Sequence, residues 1–174
     1  MKAPELKYRT PGAGLLTIGP LAGHPGLFVR SPFWIVSAAS PVVSGLLRKR
    51  AAGKAPAWFA AATESAKPYW LHGVNGAGDP AATVQLETLP ATQMGDMRRI
   101  DSEEGWSGCV NDELLALVLT GATGWASVTW TAINQPIAVW QGRDEIWGAV
   151  MPIHGSWEVW AQRAISAGLM AGAA

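Results

Sequence analysis

The sequence is short of charge and of cysteine. Thirteen Lys and Arg are balanced by thirteen Asp and Glu in 174 residues, so charged side chains make up 15% and the formal net charge is zero. An ordinary soluble domain carries about 25%. Without an excess of either sign there is no general attraction to nucleic acid or to an anionic lipid surface, and neither is expected as a partner. One cysteine, Cys109, excludes an internal disulfide and a cysteine-based zinc site and fits a reducing compartment. The amino terminus, with Lys2, Pro4, Glu5, Lys7 and Arg9, is broken by charge and proline and does not read as a signal peptide.

What is present is apolar and aromatic. Hydrophobic residues make up 49% and there are ten tryptophans, enough for one domain with a sizeable core and far from the composition of a disordered chain. Residues 114–142 carry no charge, and Leu114 to Ile133 has the length of a membrane span. Gly121, Gly124, Ser127 and four threonines interrupt it before Asn134-Gln135-Pro136, so it reads as buried helix or strand rather than as a span.

Turn signals at Pro11-Gly12, Gly19-Pro20 and His24-Pro25-Gly26 make residues 1–32 an extended arm or a set of short strands, with residues 33–174 as one domain. A helix follows: Ser40 caps it, Pro41 suits its first turn, Arg48-Lys49-Arg50 lie in its last turn and Gly53 stops it. The cationic run complements the negative end of the helix dipole, which is a simpler account than a phosphate site. A second short helix begins at Pro56 with Trp58, Phe59 and Ala62 inward. Tyr69-Trp70-Leu71-His72 and residues 83–87 read as strands around a glycine loop, and residues 91–104 as a polar surface segment with a short helix.

Seven of the ten tryptophans lie from Trp106 onward. Trp106 to Leu117 and Trp130 to Trp140 share a pattern: an indole, a β-branched residue, an Asn turn and an apolar run. Pro136 favours a hairpin in the second. In the first, a hairpin competes with a helix starting at Asn111-Asp112-Glu113 and ending at Gly121, and the hairpin is preferred on the parallel with its partner. Residues 146–153 read as a further strand. Trp157, Trp160, Ala161, Ala164, Ile165, Gly168 and Leu169 follow helical spacing after Ser156 and predict a closing amphipathic helix. The fold class expected is α+β: mainly antiparallel sheet in the carboxy-terminal half, short helices toward the amino terminus and one amphipathic helix at the end.

No catalytic signature stands out. His24, His72 and His154 each adjoin or lie near a turn glycine or proline, and there is no nucleophile elbow. Cys109 is better read as a small buried hydrophobe than as a nucleophile. Asp101, Glu103 and Glu104 lack calcium-loop spacing. The Asn75 to Asp79 loop lacks the ending of a phosphate loop. No cofactor or metal is expected. Tryptophan in such number points to interfaces, where indoles are favoured anchors. Trp58, Trp70 and Trp106 are expected to pack inside. Trp125, Trp140, Trp147 and Arg143 are the candidate interaction residues, and Trp140, Trp147 and Arg143 also form a conceivable sugar-stacking platform. The expectation is a non-enzymatic structural component of a multi-subunit assembly, a virus or phage particle protein contacting other subunits, located in the virion or the cytoplasm. A carbohydrate-binding module and a small hydrolase with His72 or His154 as base are the alternatives.

Overall fold

A computed structural model describes residues 16–72, 74, 85–88, 97–101, 105, 107–122, 126–130, 134–153 and 162. It contains a seven-stranded sheet and a three-stranded one. The strands are β1 (Thr17–Leu21), β2 (His24–Arg30), β3 (Trp34–Ser37), β4 (Thr63–Glu64), β5 (Gln85–Thr88), β6 (Met97–Asp101), β7 (Ser107–Asn111), β8 (Ala126–Thr129), β9 (Ile137–Gln141) and β10 (Glu145–Val150). The helices are α1 (Pro41–Ala51), α2 (Ala57–Ala60) and α3 (Asp112–Leu119). The large sheet runs β4-β1-β2-β3-β10-β9-β8, antiparallel throughout except for the short β1–β4 pair. The small sheet is the antiparallel order β5-β6-β7. A bridge between Cys109 and Ile153, with Ile153 N–H donating to the Cys109 carbonyl at 2.7 Å, ties β7 to the chain just past β10.

Fold class is therefore mixed, with a large, mainly antiparallel sheet and a few short helices. The sheet is not confined to the carboxy-terminal half. Three of its strands, β1 to β3, come from residues 17–37, and the turn-rich amino-terminal region supplies hairpins that pair with each other and, through β3, with β10. The boundary drawn at residue 32 falls in the β2–β3 turn, between two strands of one sheet. Residues 1–15 lie outside those described, as does the predicted closing helix, apart from Gln162, which is helical.

The large sheet is apolar on both faces, so its central strands read as nearly continuous hydrophobic runs. On one face Val29, Val36, Val139, Ile137 and Val150 pack with Val43 of α1 and Leu115, Leu117 and Val118 of α3. On the other, Phe28, Ile35, Ala138, Trp140, Ile146 and Ala149 form a second cluster. Trp147 is the extra residue of a bulge in β10, because Ile146 pairs with Trp140 while Gly148 pairs with Val139. The bulge turns its indole to the helix face, where Nε1 donates to the Thr120 carbonyl at 3.3 Å. Gly148 beside it has no side chain to keep α3 away: a Cβ there would lie 2.9 Å from Val118 Cγ1.

α1 begins and ends as its sequence predicts, with Pro41 in its first turn, Arg48, Lys49 and Arg50 in its last, and Gly53 at φ 68° beyond. Ser40 does not cap it through its side chain. Its hydroxyl is buried and donates instead to the Thr120 carbonyl at 3.4 Å, joining the start of α1 to the end of α3. Two expectations are corrected. Asp112–Leu119 is a helix, not the second arm of a hairpin: Asn111 Oδ1 accepts from Leu114 N–H at 3.1 Å, Asp112 and Glu113 sit in the first turn, and Gly121 follows at φ 81°. Residues 97–101 are the middle strand of the small sheet rather than a surface helix, and Ile100 is fully buried. Of the hairpin expected over Trp130 to Trp140, the second arm stands as β9, but its partner β8 is Ala126–Thr129, ahead of Trp130, and residues 131–133 lie outside those described. The strand β10 and the helix α2, with Phe59 and Ala62 inward, stand as expected.

Candidate functional site

The two faces of the large sheet are covered unequally. Helices pack on one. On the other, the described cover is a strap formed by residues 69–72 and 74, whose Tyr69, Leu71 and Val74 rest on the second apolar cluster. The strap is stitched to the end of β1. Tyr69 N–H donates to the Pro20 carbonyl at 3.0 Å, Ala22 N–H donates to the Tyr69 carbonyl at 2.8 Å, and Leu21 pairs with Tyr69 in a parallel bridge. A bulge at Pro20 and Leu21 aims the end of β1 toward it. Extended backbone alternates its side chains. Tyr69 and Leu71 therefore point to the sheet, and Trp70 points away with 68% of its surface exposed.

A cavity opens on each side of the strap, with Leu71 and His72 bordering both. The first, about 240 Å³, lies against the β2–β3 turn and is walled by Arg30, Phe33, Ile35, Tyr69, Gln135 and Ala149 among others. Ser31 Oγ accepts from the N–H groups of Phe33 (3.1 Å) and Trp34 (3.2 Å), which fixes that turn and leaves Phe33 47% exposed. The Arg30 guanidinium carbon lies over the Tyr69 ring, 4.0 Å from its centroid. The second cavity, about 310 Å³, is bounded by Ala22, His24, Trp70 and Ile146. His24 meets Trp140 edge-on at 6.0 Å. Its Nδ1 is buried without a hydrogen-bond partner, and burial lowers its pKa from the ordinary 6.5, so the imidazole is neutral at pH 7.

The tryptophans named from the sequence are placed differently from expectation. Trp140 and Trp147 are 2% and 7% exposed. Trp140 donates from Nε1 to Thr129 Oγ1 at 2.7 Å on the strap side, and Trp147 lies under α3. Neither ring presents a face to a partner or to a sugar. Arg143 is exposed in the β9–β10 turn, and Trp125 lies outside the described residues. Trp70, expected inside, faces outward, whereas Trp58 is half-buried and Trp106 lies outside those described. A single indole in the three-residue apolar run Tyr69 to Leu71 is too short a pattern to reveal its side by composition alone. The alternation of Tyr69 and Leu71 about it was the available signal.

For chemistry, His72 is exposed and shares the first cavity with Ser31, but no hydrogen bond links them and Ser31 Oγ is engaged by backbone. His154 lies outside the described residues. Cys109 is buried and its thiol is pushed up to about 12 by desolvation. Among the described residues no three His, Cys, Asp or Glu side chains gather as a metal site requires, and no helix is long and apolar enough to cross a membrane. No protein-family model matches the chain, and comparison with curated proteins and with solved structures gives no match.

Proposed function

We propose that the protein is a non-enzymatic structural component of a multi-subunit assembly, of the kind that builds a virus or phage particle, and that the strap side of the large sheet meets another subunit. The observation that carries this reading is Trp70, 68% exposed on the strap, with Phe33 47% exposed on the same side of the sheet. An indole buries about 150–250 Å² at an interface. At about 25 cal/mol per Å² that is roughly 4–6 kcal/mol before the costs of association. The low charge of the chain, 15%, opposes such contact little.

Sedimentation over a wide concentration range tests the proposal. The expected result is a mass at multiples of 18.3 kDa, or one retained with other chains when the protein is recovered from the cells that produce it. Trp70→Ala should weaken that association about 30-fold, the effect of removing an interface anchor of about 2 kcal/mol. A single-chain mass both in concentrated solution and on native recovery overturns the reading.

A further inference from the structure

We propose that the 240 Å³ cavity between the β2–β3 turn and the strap binds a small organic carboxylate with an apolar or aromatic body. The inference is independent of the assembly reading, because it concerns a cavity that the chain forms by itself.

The cationic wall comes first. Three arginines among the described residues are partly buried: Arg30, Arg50 and Arg99. Arg50 donates to Glu64 Oε1 at 2.6 Å and to the Ala62 carbonyl at 3.0 Å, and Arg99 donates to Ser107 Oγ at 3.3 Å. Arg30 has neither an ion pair nor a side-chain hydrogen bond to a described residue. It lies over the Tyr69 ring, 4.0 Å from its centroid, and is placed by β2 opposite Thr17 and Ile35. A cation–π contact of this kind consumes no hydrogen bond, and the guanidinium N–H fork is the geometry that grips a carboxylate with two bonds. Among the described residues no Asp or Glu lines this cavity or its neighbour across the strap, so no described carboxylate there competes for the fork.

The rest of the lining selects the body of the ligand. Ile35, Pro136 and Ala149 are apolar and buried, Leu71 packs beside them, and Phe33 stands at the rim with half of its surface open. A phosphate ion would satisfy the arginine but leave that apolar wall wet. A carboxylate on a ring or short chain satisfies both. The cavity has the size of a fragment rather than of a dinucleotide, since ligand pockets run from about 300 to 1,000 Å³.

Titration of the ¹⁵N-labelled full chain with benzoate, benzamide and inorganic phosphate, followed by amide and indole resonances, tests the assignment. Benzoate should saturate and move the amides of Arg30, Phe33 and Leu71. Benzamide, the neutral isostere, should bind about tenfold more weakly, as expected for the loss of one charge-assisted contact. Phosphate should not saturate. Arg30→Gln should reduce benzoate affinity about tenfold and leave benzamide unchanged, with an unmoved Trp140 indole resonance reporting an intact sheet. Should Arg30→Gln loosen the strap, Phe33→Ala supplies the second arm: it leaves the arginine in place and should weaken both aromatic ligands together. Equal affinity for benzoate and benzamide, saturable phosphate binding of equal strength, or no saturable shift at all overturns the proposal. A monomeric protein that still binds benzoate in this way would refute the assembly reading and leave this one standing.

Discussion

Cys109 lies in β7 with 1% of its surface exposed, and desolvation raises its thiol from 9.0 to about 12. The thiolate is the reactive form, and a rise of about three pH units lowers its population about a thousandfold near neutrality. Thiol-directed reagents at pH 8 should therefore modify the native protein on the order of 10³ times more slowly than the denatured chain. Comparable rates would place the thiol in solvent. The sign of the linked stability follows from the same shift. The folded pKa is the higher, so the contribution is complete below pH 9 and falls away as pH rises from 9 toward 12. This residue was legible in the sequence, since an isolated cysteine beside Gly108 and Val110 in an apolar segment is most often a core side chain. Trp140 and Trp147 were not. Which side of a strand is covered depends on neighbours far away in the chain, and here both sides are covered: Trp140 lies on one and Trp147, moved by the β10 bulge, on the other. Trp70 is open for the complementary reason, because it sits on the cover and not under it.

Among the elements, α3 is the instructive one. Its 8 residues contain no charge after Glu113, so apolar pattern alone does not separate helix from strand. Its ends decide. Asn111 Oδ1 accepts from Leu114 N–H at 3.1 Å, and Gly121, at φ 81°, lies so close to the Pro41 ring that a Cβ would collide with it. Asn111→Ala should cost about 1 kcal/mol, seen in thermal unfolding as a fall of roughly 2–4 °C for a chain of this length, and Asn111→Asp should recover most of it. An unchanged midpoint for Asn111→Ala would mean that the cap carries nothing and that packing against β10 and β3 alone holds the helix. α1 shows the same rule from the opposite side. Its boundaries were readable because Pro41, the basic last turn and Gly53 are local signals. The role of Ser40 was not readable, because its partner, the Thr120 carbonyl, is 80 residues away. β6 was misjudged for a related reason: Met97–Asp101 is largely polar, and its strand character comes from β5 and β7 on either side.

At the scale of the molecule, two meanders of antiparallel strands, β1-β2-β3 and β10-β9-β8, meet along one seam where β3 pairs with β10. No local signal announces that pairing. Strand character was visible in the later segment, but the register of Val36 with Gly148 and of Ile35 with Ala149 is set by burial on both sides, since a slip by one residue would exchange the two apolar faces. α3 lies over β10 and β3 together, and Trp147 and Ser40 converge on the Thr120 carbonyl at its end. The seam is thus both a buried line of the large sheet and the place where the chain's two halves are locked. Native-state amide exchange should register this. The amides of Ile35, Val36, Ala149 and Val150, all at most 3% exposed, should exchange at the limit set by global unfolding. Those of the exposed edge strand β4, whose Thr63 pairs with Thr17, should exchange through local opening many times faster. If seam amides opened as readily as β4 while β9 stayed protected, the two meanders would be separate cooperative units and α3 would not be their clasp. Exchange along the strap, measured in the same experiment, should fall between these limits. Its Tyr69 amide is bonded to the Pro20 carbonyl at 3.0 Å, but it covers the sheet without being one of its strands, which leaves it the element best placed to yield when something occupies the cavities beside it.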